Sequence, residues 1–381
     1  MSMVLVTLSL SNARLNTEQV FRMNNFFIRS LLYVNPKRTQ EVESMKLIKL
    51  FAALLTMLAF TAAAMAGTLE EVKERGYLKA GANGGVYGFS KPNEEGVWEG
   101  LDVDTARAVA AAIFGDPEKV EFTALTAVQR LPALQSKEID VLTRNTTKTL
   151  TRETKNALNF AHTNFYDGQG FLIREDLGVD SAKQLGGATV CVLPGTTTEM
   201  NAADFFRSNN MEWNPVVIEN TTQLSKAFYA GRCDCLTSDS SQLASIRSVA
   251  PNPSDYKILP EIISKEPLAP VVRHGDSEWY DIVDWTVIAM IQAEEFGINS
   301  ENVDEFLDSE NPGIKRFLGV TPGMGKNLGL SDKWAYNIVK MVGNYGEVFE
   351  RNVGPDTALG LERGLNALWT EGGLMYAPPI R

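Results

Sequence analysis

The sequence predicts an α/β protein of two lobes, with the chain crossing between them twice. Three observations lead there. From residue 68 onward, short apolar runs alternate with helical stretches, the mark of strand–helix units around a largely parallel sheet. The alternation breaks off and restarts at Thr189 as a second, shorter unit. Extended apolar segments flank that second unit, 170–174 on the way in and 257–263 on the way out, so the first lobe draws on both ends of the chain. Such a discontinuous pair of lobes has a cleft between them and a hinge beneath.

Residues 68–75 read as a short helix stopped by Gly76, and 77–82 as a strand running into Asn83-Gly84-Gly85-Val86-Tyr87-Gly88-Phe89. After Gly100, Leu101-Asp102-Val103-Asp104 opens an alanine-rich helix over 105–114. Asp102 and Asp104 read as its caps, not as calcium ligands. A strand over 120–123, a helix over 130–136 and a buried-type strand over 139–143 complete the first unit. The second unit repeats the pattern, with strands at 189–193, 216–219 and 233–237 and helices at 196–209, 222–231 and 240–249. Residues 279–381 are largely helical, with several Gly and Pro breaks.

Composition excludes several functions. The chain is 44% hydrophobic and 22% charged, ordinary for a globular protein with an ample core. Its formal net charge of −11 offers no basic field to nucleic acid or anionic lipid. The two histidines, His162 and His274, lie far apart in sequence. That is thin material for a metal site or histidine catalysis, so neither a metal nor a cofactor is expected.

Met45-Lys46-Leu47-Ile48-Lys49 supplies a basic start, 50–60 is an apolar run too short to span a bilayer, and Ala64-Met65-Ala66 fits a signal-peptidase site. Residues 45–66 therefore predict an export signal, and 1–44 an upstream extension from a mis-assigned start. Gly67 follows the cleavage point where a lipoprotein would carry cysteine. Residues 1–66 hold seven Lys/Arg and three Asp/Glu, so the remainder carries −11 − 4 = −15. Export to the periplasm permits disulfides. Cys191 lies in one strand-like run and Cys233 and Cys235 in another. Alternation points the latter two to one face, so spacing leaves both pairings with Cys191 open.

In open α/β sheets, ligands bind beyond the carboxyl ends of strands, where helix N-termini present N–H groups. After 139–143 comes Arg144-Asn145-Thr146-Thr147-Lys148-Thr149-Leu150-Thr151-Arg152, rich in hydroxyls and amides and ending in a cation. After 189–193 comes Pro194-Gly195-Thr196-Thr197-Thr198, and after 233–237 comes Ser238-Asp239-Ser240. One cation, one anion and small donors from both lobes suit a small zwitterion. An arginine fork holds a carboxylate with two charge-assisted bonds, and an aspartate accepts from an ammonium. Each segment also has a plain structural reading: Asp239 and Thr196 as helix caps, Arg152 as a solvated helix residue, Tyr87 and Phe89 as core. Their common placement at strand ends is what singles them out.

Collinear stretches then carry a resemblance: Gly100-Leu101-Asp102-Val103-Asp104, Arg144-Asn145-Thr146-Thr147, Phe165-Tyr166-Asp167-Gly168-Gln169-Gly170-Phe171, Pro194-Gly195-Thr196-Thr197-Thr198-Glu199, Gly231-Arg232-Cys233-Asp234, Pro270-Val271-Val272-Arg273, Arg363-Gly364-Leu365-Asn366-Ala367-Leu368-Trp369 and Tyr376-Ala377-Pro378-Pro379. The chain resembles the general L-amino-acid-binding proteins of polar amino-acid ABC transporters, solute-binding protein family 3. The resemblance implies a periplasmic-binding-protein type II fold, an L-amino acid ligand, a membrane permease–ATPase partner, no enzymatic activity and a monomer. It implies lobe limits of 67–166 with 262–381, and 167–261. It places the ligand carboxylate on Arg152, assisted by Thr147, groups near Asn145, and Thr196 or Thr197, and the ammonium on Asp239. Asn83 or Tyr87 would face the ligand side chain. It also implies a Cys191–Cys233 disulfide. Two features depart from the family pattern, the loop from Asn83 to Tyr87 and Lys148, which stands where an aromatic residue is expected. A cation there either favours acidic ligands or faces solvent. A dehydratase or lyase on this architecture would need a further acid and base in the cleft, and the sequence offers no convincing pair.

Overall fold

In a computed structural model, which describes residues 67–381, the N–H of Gly76 returns to the Val72 carbonyl with Gly76 at φ 84°, ending α1 (Thr68–Arg75) and launching β1 (Leu78–Ala82). The export signal at 45–66 and the extension at 1–44 lie outside the described residues. A small ribbon follows, β2 (Lys91–Pro92) and β3 (Trp98–Glu99), then α2 (Leu101–Phe114), β4 (Val120–Ala124), α3 (Arg130–Gln135), β5 (Val141–Leu142), α4 (Leu150–Thr154) and β6 (Leu158–Phe160). The chain leaves this lobe through β7 (Phe165–Asp167). The second lobe comprises β8 (Gln169–Arg174), β9 (Thr189–Val192), α5 (Thr197–Ser208), β10 (Asn214–Val217), α6 (Thr221–Tyr229), β11 (Cys235–Asp239), α7 (Ser240–Ser248) and β12 (Tyr256–Ile258). The return runs through β13 (Glu266–Leu268) into β14 (Val271–Arg273) and α8 (Ser277–Glu295). Short helices α9 (Pro312–Phe317), α10 (Met324–Asn327), α11 (Trp334–Met341) and α12 (Tyr345–Asn352) follow.

Each lobe holds a five-stranded sheet, ordered β4-β1-β5-β14-β6 and β10-β9-β11-β8-β12. The first three strands of each are parallel, as the alternation predicts. The fourth, β14 or β8, runs antiparallel to both neighbours. Both fourth strands adjoin a crossing in sequence, which is why the two sheets match and why neither is purely parallel.

The crossings themselves lie elsewhere than the apolar segments suggested. Residues 170–174 belong to β8 and 257–258 to β12, both inside the second sheet. The connecting pair is β7 with β13, antiparallel, with Glu266 opposite Asp167 and Leu268 opposite Phe165. A sheet strand buried on both faces and an apolar linker look alike in sequence, and only pairing separates them. The free edge of β7 is occupied by Asn366, whose Oδ1 accepts from the Tyr166 N–H (2.7 Å) and whose Nδ2 donates to the Tyr166 carbonyl (3.1 Å). Gly168, just beyond, packs so closely on Ile262 and the Ser264 carbonyl that a Cβ would collide.

A second correction concerns α2. It begins at Leu101, before the predicted start, so Asp102 and Asp104 sit inside its first turn and do not cap it. The N–H groups of Leu101 and Asp102 instead meet the Gly88 and Phe89 carbonyls (2.9 and 3.0 Å). That approach requires Gly100, at φ 126°, because a Cβ there would strike Phe89. The freed Asp104 binds Arg351 (2.8 Å) and Asn352 (2.7 Å), tying α2 to α12.

The C-terminal helices pack on the first lobe: Phe165 of β7 meets Phe89 edge-on and stacks on Phe349 of α12. In the second lobe, Cys191 and Cys233 are disulfide-bonded with Cα atoms 5.7 Å apart, as the resemblance implies. Strand β11 starts only at Cys235, so Cys233 belongs to the preceding turn and need not share a face with it. The disulfide joins a core of Leu172, Leu224 and Phe228, whereas the Cys235 thiol is buried in another with Phe171 and Phe206.

The bond spans 42 residues of sequence, for which loop-closure entropy gives at most roughly 4 kcal/mol of stabilisation. Replacing both Cys191 and Cys233 by Ala is expected to lower the urea midpoint accordingly. Reductant should then shift the wild type and leave the double variant unchanged; equal shifts in both would refute the assignment.

Candidate functional site

The loop after β5 is laid along the returning crossing strand. Thr147 forms a bridge with Leu268, the Lys148 N–H donates to the Pro267 carbonyl (2.9 Å), and the Ala269 N–H donates to the Thr146 carbonyl (3.2 Å). Asn145 is set by its N–H, which donates to Asp102 Oδ2 (3.0 Å), while its Nδ2 reaches across to Gln242 Oε1 in the second lobe (3.1 Å). Thr149 caps α4 by accepting the Arg152 N–H (3.2 Å). That cap fixes where the Arg152 side chain starts, and its Nη1 donates to the Thr147 carbonyl (2.7 Å).

The opposite wall is built from two helix N-termini. Thr196 caps α5, accepting from the Glu199 N–H (3.0 Å) and donating to the Leu193 carbonyl (2.8 Å), so its hydroxyl is largely engaged. The next hydroxyl, Thr197 Oγ1, lies 3.3 Å from Thr147 Oγ1, and both donate to Glu266 Oε2 (2.8 and 2.6 Å). Asp239 occupies the N-cap position of α7 without bonding the helix through its side chain. Asp167, on the outgoing crossing strand, accepts the Ser241 N–H instead (3.3 Å). Asp239 is thereby left free for other work.

These elements enclose a cavity of ≈ 20 Å³, lined among others by Arg130, Arg144, Asn145, Thr197, Asp239 and Gln242. Arg130, Arg144 and Arg152 are 3%, 3% and 6% exposed, and among the described residues none of them forms an ion pair within 4.0 Å. Burial draws all three below the ordinary arginine range: Arg130 well below, with Arg144 and Arg152 adding repulsion, and Arg144 to about 10. The Asp239 carboxyl moves the other way. Burial pushes it well above the carboxylate range, and the charges of Asp167 and Glu266 reinforce that. Buried polar atoms without partners gather here too, among them Arg130 Nε, Asn145 Oδ1 and Gln242 Nε2. Satisfied interiors rarely leave such groups, and a cluster of them marks where another molecule's donors and acceptors would fit. Unpaired cations face one protonation-shifted acid across one small space, which is chemistry for holding a carboxylate and an ammonium.

Of the residues singled out in sequence, Asn145, Thr147, Thr196, Thr197 and Asp239 line this cavity. Arg152 stands at its border, bonded to the loop. Asn83 lines an adjacent outer cavity, its Nδ2 buried and without a partner. Tyr87 is set apart, 38% exposed beside Lys91 and Arg351. Lys148 is largely solvated and pairs with Glu153 (3.1 Å). Arg130, Gln242 and Glu266 were not predicted. Arg130 opens α3 after the turn beyond β4, so extending the strand-end rule to that strand would have found it. Gln242 lies inside a helix and Glu266 in a short strand, where no local pattern marks them.

The chain matches known proteins of one family. Residues 78–301 match the family described as bacterial extracellular solute-binding proteins, family 3. The chain is 54% identical over 321 residues, 84% of its length and 94% of the relative's, to the general L-amino acid-binding periplasmic protein AapJ of Rhizobium johnstonii. It is 52% identical to the glutamate/glutamine/aspartate/asparagine-binding protein BztA of Rhodobacter capsulatus, covering 88% of this chain and 100% of that one. A solved ABC transporter periplasmic binding protein from Brucella ovis, with glutathione bound, superposes with TM-score 0.81 at 53% identity, covering 83% of this chain and 100% of that one. The fold is the periplasmic-binding-protein type II fold.

Beside Arg144, burial lifts the Asp102 carboxyl from 3.8 to about 7 against the pull of the Asn145 N–H and Arg144. The native state then holds this proton more tightly than the unfolded chain, so its stabilising contribution falls as pH rises from about 4 to 7 and is constant above. The melting temperature of wild type relative to Asp102→Asn should decline over that window. A difference that does not vary with pH would sink the assignment.

Proposed function

Because the chain belongs to the bacterial extracellular solute-binding proteins, family 3, we propose that it is a periplasmic receptor that captures L-amino acids as its lobes close and delivers them to an ABC permease and its ATPase. The observation that carries the reading is the buried, unpaired arginine cluster facing Asp239 across a cleft walled by both lobes. A free amino acid supplies what each side lacks. Arg152 takes its α-carboxylate with Thr147, Thr197 and backbone groups near Asn145, and Asp239 takes its ammonium. Asn83 faces the side chain. Thr196 supports the wall as a cap, and Tyr87 is left outside the set because it lies on a separate surface.

A cavity of ≈ 20 Å³ has room for little more than a water, so a ligand must hold the lobes apart or replace direct contacts between them. The contacts to replace are Thr147 with Thr197 and Asn145 with Gln242. We assign the moving bodies to residues 67–166 with 262–381, and 167–261, turning on β7 and β13. A ligand that bridges both walls stabilises the closed arrangement by its differential affinity, and the permease reads that state. The chain acts as a monomer, exported by residues 45–66, and no residue is assigned a catalytic role. That the relatives at 54% and 52% identity are amino-acid-binding proteins supports the amino acid class. The glutathione in the Brucella relative is compatible with it, since a γ-glutamyl group presents a free α-amino and α-carboxylate head.

Calorimetric titration of protein refolded free of carried-over ligand tests the reading. Wild type should bind several L-amino acids and neither their decarboxylated nor their deaminated analogues. Arg152→Ala and Asp239→Asn should each weaken binding roughly a hundredfold, the cost of leaving a buried charge unpaired. Failure of folded wild type to bind any amino acid would refute it.

A further inference from the structure

One α-carboxylate accounts for one guanidinium, yet the cleft buries three. Arg152 is committed to the head group under the function proposed above, on which this inference rests. Arg144 differs from it in position: it is the one residue shared by the inner cavity and a second, outer cavity of ≈ 120 Å³. The outer cavity also spans the lobes, with Asn83, Gly85 and Thr126 on one side and Asn220, Thr221 and Thr222 on the other. Arg144 Nε donates to the Leu125 carbonyl (2.9 Å), which fixes the plane of the guanidinium. Its Nη1 and Nη2 have no hydrogen-bond partner among the described residues, although the residue is 3% exposed. Asn83 Nδ2, on the same cavity, is likewise buried and unpartnered. Across from them stands the N-terminal turn of the nine-residue helix α6, capped by Asn220, which accepts the Gln223 N–H (3.0 Å). The nearby acid, Glu219, is held at the rim by Thr126 (2.9 Å).

A cation with two free N–H-bearing nitrogens, an unsatisfied amide donor and a helix N-terminus line one space that adjoins the head-group site at Arg144. All three favour an anion. We infer that this outer cavity is a subsite for a second carboxylate on the ligand's arm, with Arg144 as the residue that selects it. The ligand class is amino acids bearing a distal carboxylate, whether dicarboxylic amino acids or γ-linked glutamyl peptides. An uncharged arm leaves Arg144 buried without an ion pair, so the subsite discriminates by penalty as well as by attraction.

The test is a titration series with L-alanine, L-glutamate, L-glutamine, γ-glutamylglycine and its C-terminal amide against wild type, Arg144→Gln and Thr222→Glu. Thr222 is exposed, so its variant perturbs the cavity wall even if the buried substitution impairs folding. Melting curves establish that each variant is folded. Wild type should prefer at least one acid over its amide partner by roughly tenfold, both folded variants should cut that ratio to about threefold or less, and the L-alanine affinity of Thr222→Glu should hold within about threefold. Preference within the glutamate pair identifies dicarboxylic amino acids as the source, and preference within the peptide pair identifies γ-linked peptides. Equal affinity for acid and amide in both pairs overturns the subsite. So does loss of L-alanine binding in parallel with the acids, which would make Arg144 part of the head-group clamp. Wild type that binds none of the five overturns the amino-acid reading itself, and the subsite with it.

Discussion

Burying a guanidinium without an ion pair is costly, and this fold buries three close enough to raise one another's cost. Arg130, Arg144 and Arg152 come from the start of α3, the loop after β5 and the first turn of α4. Backbone carbonyls take part of the burden: Leu125 accepts from Arg144, Thr147 from Arg152, and the carbonyls of Arg144 and Asn145 lie 3.4 and 3.3 Å from Arg130 Nη1. Asp102 and Asp239 lie near the cluster at longer range, with burial pushing both carboxyls towards the protonated form. Carbonyl dipoles position the cations without neutralising them, so the cluster stays an unfilled demand for negative charge. The cap at Thr149, the close approach at Gly100 and the lay of the β5 loop along β13 all serve to hold that demand in place.

The same arrangement couples the site to the hinge. Glu266 lies on β13 at 1% exposure and accepts from Thr147 of the first lobe and from Thr197 and Asn201 of the second. Asp167, its partner across the crossing ribbon, bonds the start of α7 and so displaces Asp239 from the capping role its position suggests. The two acids of the crossing strands thus contact both walls of the candidate site. A rotation about β7 and β13 would break or remake the Glu266 contacts, so under the proposed function the cost of opening falls beside the proposed ligand site. Asn366, arriving from the far C-terminus, fastens the outer edge of β7.

Much of this was legible along the chain. Strand and helix alternation located both sheets, because period and punctuation are local properties of sequence. The strand-end rule singled out Asn145, Thr147, Thr197 and Asp239, which the fold brings to one cavity because loops at the carboxyl ends of parallel strands converge. It fell short where the deciding partner was distant. The cap reading of Asp102 and Asp104 failed because Gly88 and Phe89 carbonyls satisfied the helix start instead. The apolar segments 170–174 and 257–263 read as crossings because burial in a sheet and burial in a linker leave the same residues behind. The choice between Cys233 and Cys235, open on spacing alone, turned on β11 starting late enough to send the two thiols into different cores.

By itself the sequence determined the periodic elements, the two-lobed order and the kinds of side chain brought to the cleft, since each depends on neighbours a few positions away. Tertiary structure alone decided which charges meet. Arg130 and Asp239 stand far apart in sequence, and Glu266 is as remote from Thr147; their energies depend on separation through space and on exclusion of water. Neither quantity is written in local pattern, because a field between buried charges exists only once the chain has brought them together.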